Sequence, residues 1–205
     1  MRIEKIEKMK FKKNMFKVFF ENNESLAIFA DSIVKFGIRT GINISENDYK
    51  QLASYDKLKR ATSDALGLVS KRSYSAKSLY AKLIQKGYDS ENAIKAVRKL
   101  KELNYINDKK FAKICADYLS QKGKGEFAIR AELEEQGIEE SLINEALEII
   151  KTNIEPYEQI IKILKTKFEK FSGKDKNEAR RIASFLLRRG FSYQDIAKAF
   201  RARSL

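Results

Sequence analysis

The chain has 205 residues, with 42 Lys and Arg against 28 Asp and Glu, one cysteine and no histidine. The net charge of +14 surrounds the fold with a positive field that draws in a polyanion or an acidic protein surface. Without histidine the commonest general base and metal ligand are missing, and the lone Cys115 excludes an internal disulfide and a cysteine zinc cluster.

The start, MRIEKIEKMKFKK, is charged throughout and has no apolar run of signal-peptide or membrane-spanning length. We expect a cytoplasmic chain in a reducing compartment, with no membrane partner and monomeric by default. One proline in a chain rich in Leu, Ile, Ala, Lys and Glu predicts a mainly helical fold.

In KMKFKKNMFKVFFENNESLAIF the apolar residues Met9 and Phe11, then Phe16, Val18 and Phe20, fall at every second position. Polar breaks at 12–14 and 21–24 divide them into a short antiparallel meander. Asp31 is placed to cap a brief helix through Ile33, Val34 and Phe36 that stops at Gly37. Ser45 with Asp48 three residues later reads as a capping box. The helix it opens leads into the remaining chain around residues 50–60, so a small strand and helix domain is assigned to 1–56.

From there the spacing is helical and comes in three blocks, aligned on Gly87, Gly137 and Gly190. Eight positions before each glycine stand Leu79, Ile129 and Ile182, and four before stand Leu83, Leu133 and Leu186. One after stand Tyr88, Ile138 and Phe191, and nine and ten after stand Ala96 and Val97, Ala146 and Leu147, Ala199 and Phe200. A glycine in the left-handed conformation followed by an apolar residue is a helix stop that folds back on the preceding turn. Ser192 with Asp195 suggests a capping box for the last helix. Further amphipathic stretches precede each corner helix at Asp64–Arg72, Asp108–Gln121 and Pro156–Lys170, with Pro156 suited to a first helical turn. The expected fold is three tandem three-helix repeats, at 57–107, 108–153 and 154–205, forming an elongated curved helical solenoid behind the N-terminal domain.

Charge varies by block. Basic residues number 10 against 8 acids in 1–56, 12 against 4 in 57–107, 7 against 10 in 108–153, and 13 against 6 in 154–205. The connection between first and second helix is basic in every repeat, with Lys71 and Arg72, Lys122 and Lys124, and Lys174 and Lys176. These pairs are either solvated loop residues or contacts to phosphates or acidic partner patches. The corners carry Lys86, and Arg188 with Arg189, where the middle repeat carries acids. Tyr74, in SKRSYS between two basic-rich helices, is a candidate stacking or contact residue.

Catalytic motifs fail one by one. Gly173-Lys174 is followed by Asp175, and Phe168 stands where a phosphate loop needs its first glycine. KGKGE at 122–126 has no preceding strand and no third glycine. The acids of the middle repeat lack a calcium-loop pattern. Cys115, between Ile114 and Ala116, reads as a small hydrophobe with no histidine to activate it. We expect no enzyme, no metal and no cofactor.

The ordered set ALGLVSKRSYSAKSLYAKLIQKGY, LNYINDKKFAKICADYLSQKGKG, AELEEQGI and FLLRRGF resembles the RecX family of bacterial regulatory proteins over residues 57–205. The front meander looks like the variable N-terminal part of longer members. The resemblance implies a modulator of the RecA recombinase, usually inhibitory, which lodges in the groove of the RecA–DNA filament. There it interferes with filament growth, ATP hydrolysis and strand exchange, and it has no catalytic residues of its own. The partners so implied are the RecA filament and single- or double-stranded DNA. The other reading is a direct DNA-binding regulator, because a three-helix unit with a glycine turn resembles a helix-turn-helix. Gln194 alone in the last helix is thin support for base reading.

Overall fold

The computed structural model describes residues 1–10, 14–169, 171 and 175–203. In order the elements are β1 (Ile3–Lys8), β2 (Met15–Phe20), β3 (Ser25–Phe29), α1 (Ala30–Lys35), α2 (Glu46–Val69), α3 (Ala76–Gln85) and α4 (Ser90–Glu102). They continue with α5 (Asp108–Gln121), α6 (Glu126–Glu135), α7 (Glu140–Asn153), α8 (Pro156–Lys167), α9 (Lys176–Arg188) and α10 (Tyr193–Arg203). The fold is thus mainly helical behind a small three-stranded antiparallel sheet of order β1-β2-β3.

The first strand lies earlier than its alternation suggested, at Ile3–Lys8, and Met9 follows it. A register shift between Ile3 and Lys5 is the reason, since it interrupts the period of two that makes a strand legible. Phe11 lies outside the described residues. Val18 and Phe20 of β2 and Ile28 of β3 bury their side chains with Ile3, Ile38, Ile44 and Leu52. The Phe20 and Tyr49 rings meet edge to face at 5.4 Å.

Two capping expectations part company. Ser45 accepts the Asp48 N–H at 3.0 Å and donates its hydroxyl to the Asp48 carboxylate at 2.6 Å, closing the capping box of α2. Asp31 does not cap α1; it lies inside the first turn and pairs with Lys59. The N-cap is Phe29, and its N–H is taken by Asp56 of α2 at 2.8 Å. A carboxylate twenty-seven residues downstream in the chain does the work of a local cap. No break falls at the assigned boundary 56/57, because α2 runs unbroken through it, and the helix expected from Asp64 is the second half of α2.

By packing, the chain forms two compact units, residues 1–71 with 80–105, and residues 72–79 with 106–205. In the first unit α2 packs against α4. In the second, Ala112, Ala116, Ile129, Leu133, Ile138, Ile143, Ala146 and Leu147 form the core of one three-helix repeat. Ile160, Leu164, Phe171, Ile182, Leu186, Phe191, Ile196 and Ala199 form that of the next. The aligned positions eight and four before the glycine and nine after it are buried in all three repeats. Tyr88, Val97 and Phe200 are half-buried.

Each corner closes in the same way. Gly87, Gly137 and Gly190 have φ of +91°, +71° and +88°. The next residue sends its N–H back to the helix, Tyr88 to Leu83 O at 3.2 Å, Ile138 to Leu133 O at 3.0 Å and Phe191 to Leu186 O at 3.2 Å. Ser192 and Asp195 then box the start of α10, with hydrogen bonds of 2.5 and 3.1 Å.

At the first corner, burial pushes the Tyr88 phenol up from 10.0 to about 12, and the charge and hydrogen bond of Asp64 add to it. The unfolded phenol ionises first, so the stability tied to the neutral ring is complete below pH 10 and is lost between 10 and about 12. Denaturant midpoints of Tyr88→Phe should therefore decline less steeply than the parent's over that window. Parallel declines would remove Tyr88 from the alkaline limb.

Candidate functional site

Among the described residues, the predicted cations divide into free and committed groups. Lys71 lies exposed in the turn after α2. Lys86 pairs with Asp64 at 3.0 Å, both side chains about two-fifths exposed. Arg72 places its guanidinium carbon 4.3 Å from the centre of the Tyr74 ring. Tyr74 itself is only 8% exposed, so little of its ring faces solvent. Its flat face is taken up by its neighbour's cation instead of being offered to a base.

Lys122 ends α5 with its side chain exposed and its ammonium 5.6 Å from the centre of the Tyr118 ring. Lys124 is half-buried, while Lys176 is exposed as the first residue of α9. Lys174 lies outside the described residues. Arg188 is exposed.

Arg189 is held by the preceding repeat. Its Nε donates to Gly123 O at 2.7 Å and its Nη2 to Lys122 O, and its guanidinium carbon lies 5.3 Å from the centre of the Phe185 ring. Its own carbonyl accepts the Gly125 N–H at 2.7 Å. Gly190 O then accepts from Phe127 N at 3.0 Å. The α9–α10 corner thereby satisfies donors at the start of α6 in the preceding repeat, donors that a helix leaves open. A Cβ on Gly125 would stand 2.4 Å from Gly190 O, and one on Gly190 would stand 2.3 Å from Ala128 N.

The same joint recurs one repeat earlier. Ser75, at the entrance to α3, donates its hydroxyl to Gln136 O at 2.8 Å, and Ala76 N–H goes to Asp108 at 2.9 Å. The corners at Gly137 and Gly190 therefore have a second task beyond stopping a helix, which is to dock on the entrance of the previous repeat's middle helix. The third middle helix, α9, is capped by its own Asp175, which accepts from Asn177 N at 2.8 Å.

Around the α6–α7 corner Glu134, Glu135, Glu139 and Glu140 are all exposed. Burial pushes the Cys115 thiol up, with the Glu132 charge adding to it, so the thiolate is disfavoured. Among the described residues no group of three or more His, Cys, Asp or Glu could hold a metal ion, and no helix is long and apolar enough to cross a membrane.

One surface was missed from the sequence. Tyr193, Gln194, Ala197, Lys198 and Arg201 of α10 line a shallow open groove, opposite the buried Ile196 and Ala199. Their helical spacing is present in the sequence, but spacing alone does not show which face of the helix is buried. Tyr193 stands 74% exposed.

Comparison with known proteins points in one direction. The model of the second three-helix domain of RecX matches residues 107–147, and that of the third three-helix domain matches residues 153–200. The regulatory protein RecX of Caldanaerobacter subterraneus subsp. tengcongensis is 29% identical over 188 residues, covering 92% of this chain and 93% of that protein. RecX of Syntrophotalea carbinolica is 33% identical over 135 residues, covering 64% of this chain and 88% of that protein. A crystal structure of a regulatory protein RecX superposes with a TM-score of 0.72 at 22% identity, covering 97% of this chain and 98% of that one. The structure of RecX from Lactobacillus salivarius has a TM-score of 0.63 at 24% identity, covering 72% and 97% of the two chains.

Proposed function

The chain belongs to the RecX family of regulatory proteins, and from that premise we propose that it binds the RecA–DNA filament and inhibits filament growth, ATP hydrolysis and strand exchange. It acts by occupying surfaces in the cytoplasm, as a monomer and without catalysis.

The observation that carries this reading is the family relation over the length of the chain, and the charge distribution supports it. A nucleoprotein filament presents both phosphates and protein, so a partner benefits from carrying both signs. The exposed acids Glu134, Glu135, Glu139 and Glu140 on one corner and the exposed Arg188 on the next supply them. Lys71, Lys122 and Lys176, exposed where the first helix of each repeat passes to the second, are the proposed contacts to acidic groups.

The test follows ATP hydrolysis by RecA on single-stranded DNA with this chain added well below one copy per RecA protomer. Hydrolysis should fall, and strand exchange with it. Undiminished hydrolysis together with tight binding of one particular duplex sequence would overturn the proposal in favour of a direct DNA-binding regulator.

A further inference from the structure

We propose that the exposed face of α10 is a binding site for single-stranded DNA, with Tyr193 stacking on an unpaired base and Lys198 and Arg201 meeting the phosphates. Tyr193 and Gln194 open the helix, and Ala197, Lys198 and Arg201 follow one and two turns later along the same groove. The small side chain of Ala197 leaves the middle of the groove open between the ring and the two cations.

Lys198 and Arg201 are the charged residues among the five that line the groove, while Gln194 also borders a neighbouring pocket with Glu126, Glu155 and Asp195. Asp195 is the sole acid in α10, and its carboxylate accepts the Ser192 hydroxyl at 2.5 Å in the helix cap. The Lys198 ammonium stands 3.8 Å from the centre of the Tyr157 ring of α8, which fixes it while leaving its N–H donors for a phosphate oxygen. Gln194 supplies both a donor and an acceptor beside the ring, suited to a base edge.

The exposed ring decides between single and double strands. In a duplex both faces of every base are covered by its neighbours, so a protruding tyrosine gains little from stacking. On an unpaired strand each base offers a face, and aromatic stacking adds a sequence-tolerant attraction to that of the phosphates. A ring held 74% in solvent at the mouth of a cationic groove matches the second case.

This inference rests on nucleic acid being among the chain's partners, and its test leaves RecA out, so that failure of the α10 face is distinguishable from failure of the RecA reading. Anisotropy of a labelled oligothymidylate of about 20 nucleotides measures binding by the full chain. Tyr193→Ala should weaken binding by about 5- to 150-fold. Arg201→Ala should lower the slope of log affinity against log salt by about 0.7, as expected for one lost phosphate contact. Lys99→Glu, an exposed charge reversal on α4, should preserve the dependence on Tyr193. Unchanged affinity in Tyr193→Ala, equal weakening by Lys99→Glu, or tighter binding of a duplex of equal length would each overturn the assignment. Tyr193→Phe keeps the ring and should bind as the parent does; if it loses as much as Tyr193→Ala, stacking is not the interaction.

Discussion

Gly125→Ala should lower the melting temperature by about 4–8 °C, although it adds a single methyl group and asks nothing unusual of the backbone. Gly125 has φ −83°, an ordinary value for any residue. The cost comes from outside its own helix, because the added Cβ would stand 2.4 Å from Gly190 O, 2.5 Å from Gly190 C and 2.6 Å from Phe191 N. Those are backbone atoms of a cored corner, so they cannot swing away as a side-chain tip can. Separating them also stretches the hydrogen bonds from Gly125 N to Arg189 O and from Phe127 N to Gly190 O.

Two other glycines supply the controls. A Cβ on Gly67, in the exposed interior of α2, meets nothing within 4 Å, so Gly67→Ala should gain roughly 0.5–1 kcal/mol from reduced unfolded-state freedom. Gly87 also faces open space but has φ +91°, so Gly87→Ala should lose on the order of 1 kcal/mol through backbone strain alone. If Gly125→Ala melts like Gly67→Ala, the joint between the last two repeats is looser than its contacts imply.

The second large effect belongs to Asp56, and Asp56→Ala should cost about 3 kcal/mol in urea unfolding. Asp56 is 1% exposed and accepts from Phe29 N at 2.8 Å, Ser32 Oγ at 3.0 Å and Arg60 Nε at 2.8 Å. Removing it strands the N-cap donor of α1 and a fully buried hydroxyl, and unpairs a guanidinium that also reaches Ala27 O. Arg60 retains some solvent contact, with its side chain 31% exposed, which keeps the loss toward the low end for a broken buried pair. Asp56→Asn, which preserves shape and one acceptor oxygen, should lose about half as much. A change within about 0.5 kcal/mol for Asp56→Ala would mean that water satisfies these donors and that the carboxylate contributes little.

The elements that were legible in the sequence share a property, which is that their causes lie within a few residues. The boxes Ser45–Asp48 and Ser192–Asp195 are local hydrogen bonds, and each was placed correctly from residue type and spacing. The corners at Gly87, Gly137 and Gly190 likewise depend on one residue's conformational freedom and the apolar residue after it. The elements read wrongly had distant causes. The bulge in β1 answers to its pairing with β2, and the cap of α1 comes from α2. The carbonyl partners of Arg189, at Lys122 and Gly123, likewise lie in the preceding repeat. Tyr74 and Tyr193 are both tyrosines in polar surroundings, yet one is buried and the other stands in solvent.

By itself, then, the amino-acid order determined that this chain is helical, that its repeat is written three times around a glycine stop, and that its charge changes sign between repeats. Periodicity, capping and composition are properties of neighbours along the chain, and they survive without a fold. Which cations remain available, which ring faces outward, and that the glycine corner also docks on the repeat before it were decided by tertiary structure alone. Burial and hydrogen-bond partnership depend on what packing brings alongside a residue, and at Arg189 and Gly125 that neighbour lies more than sixty positions away.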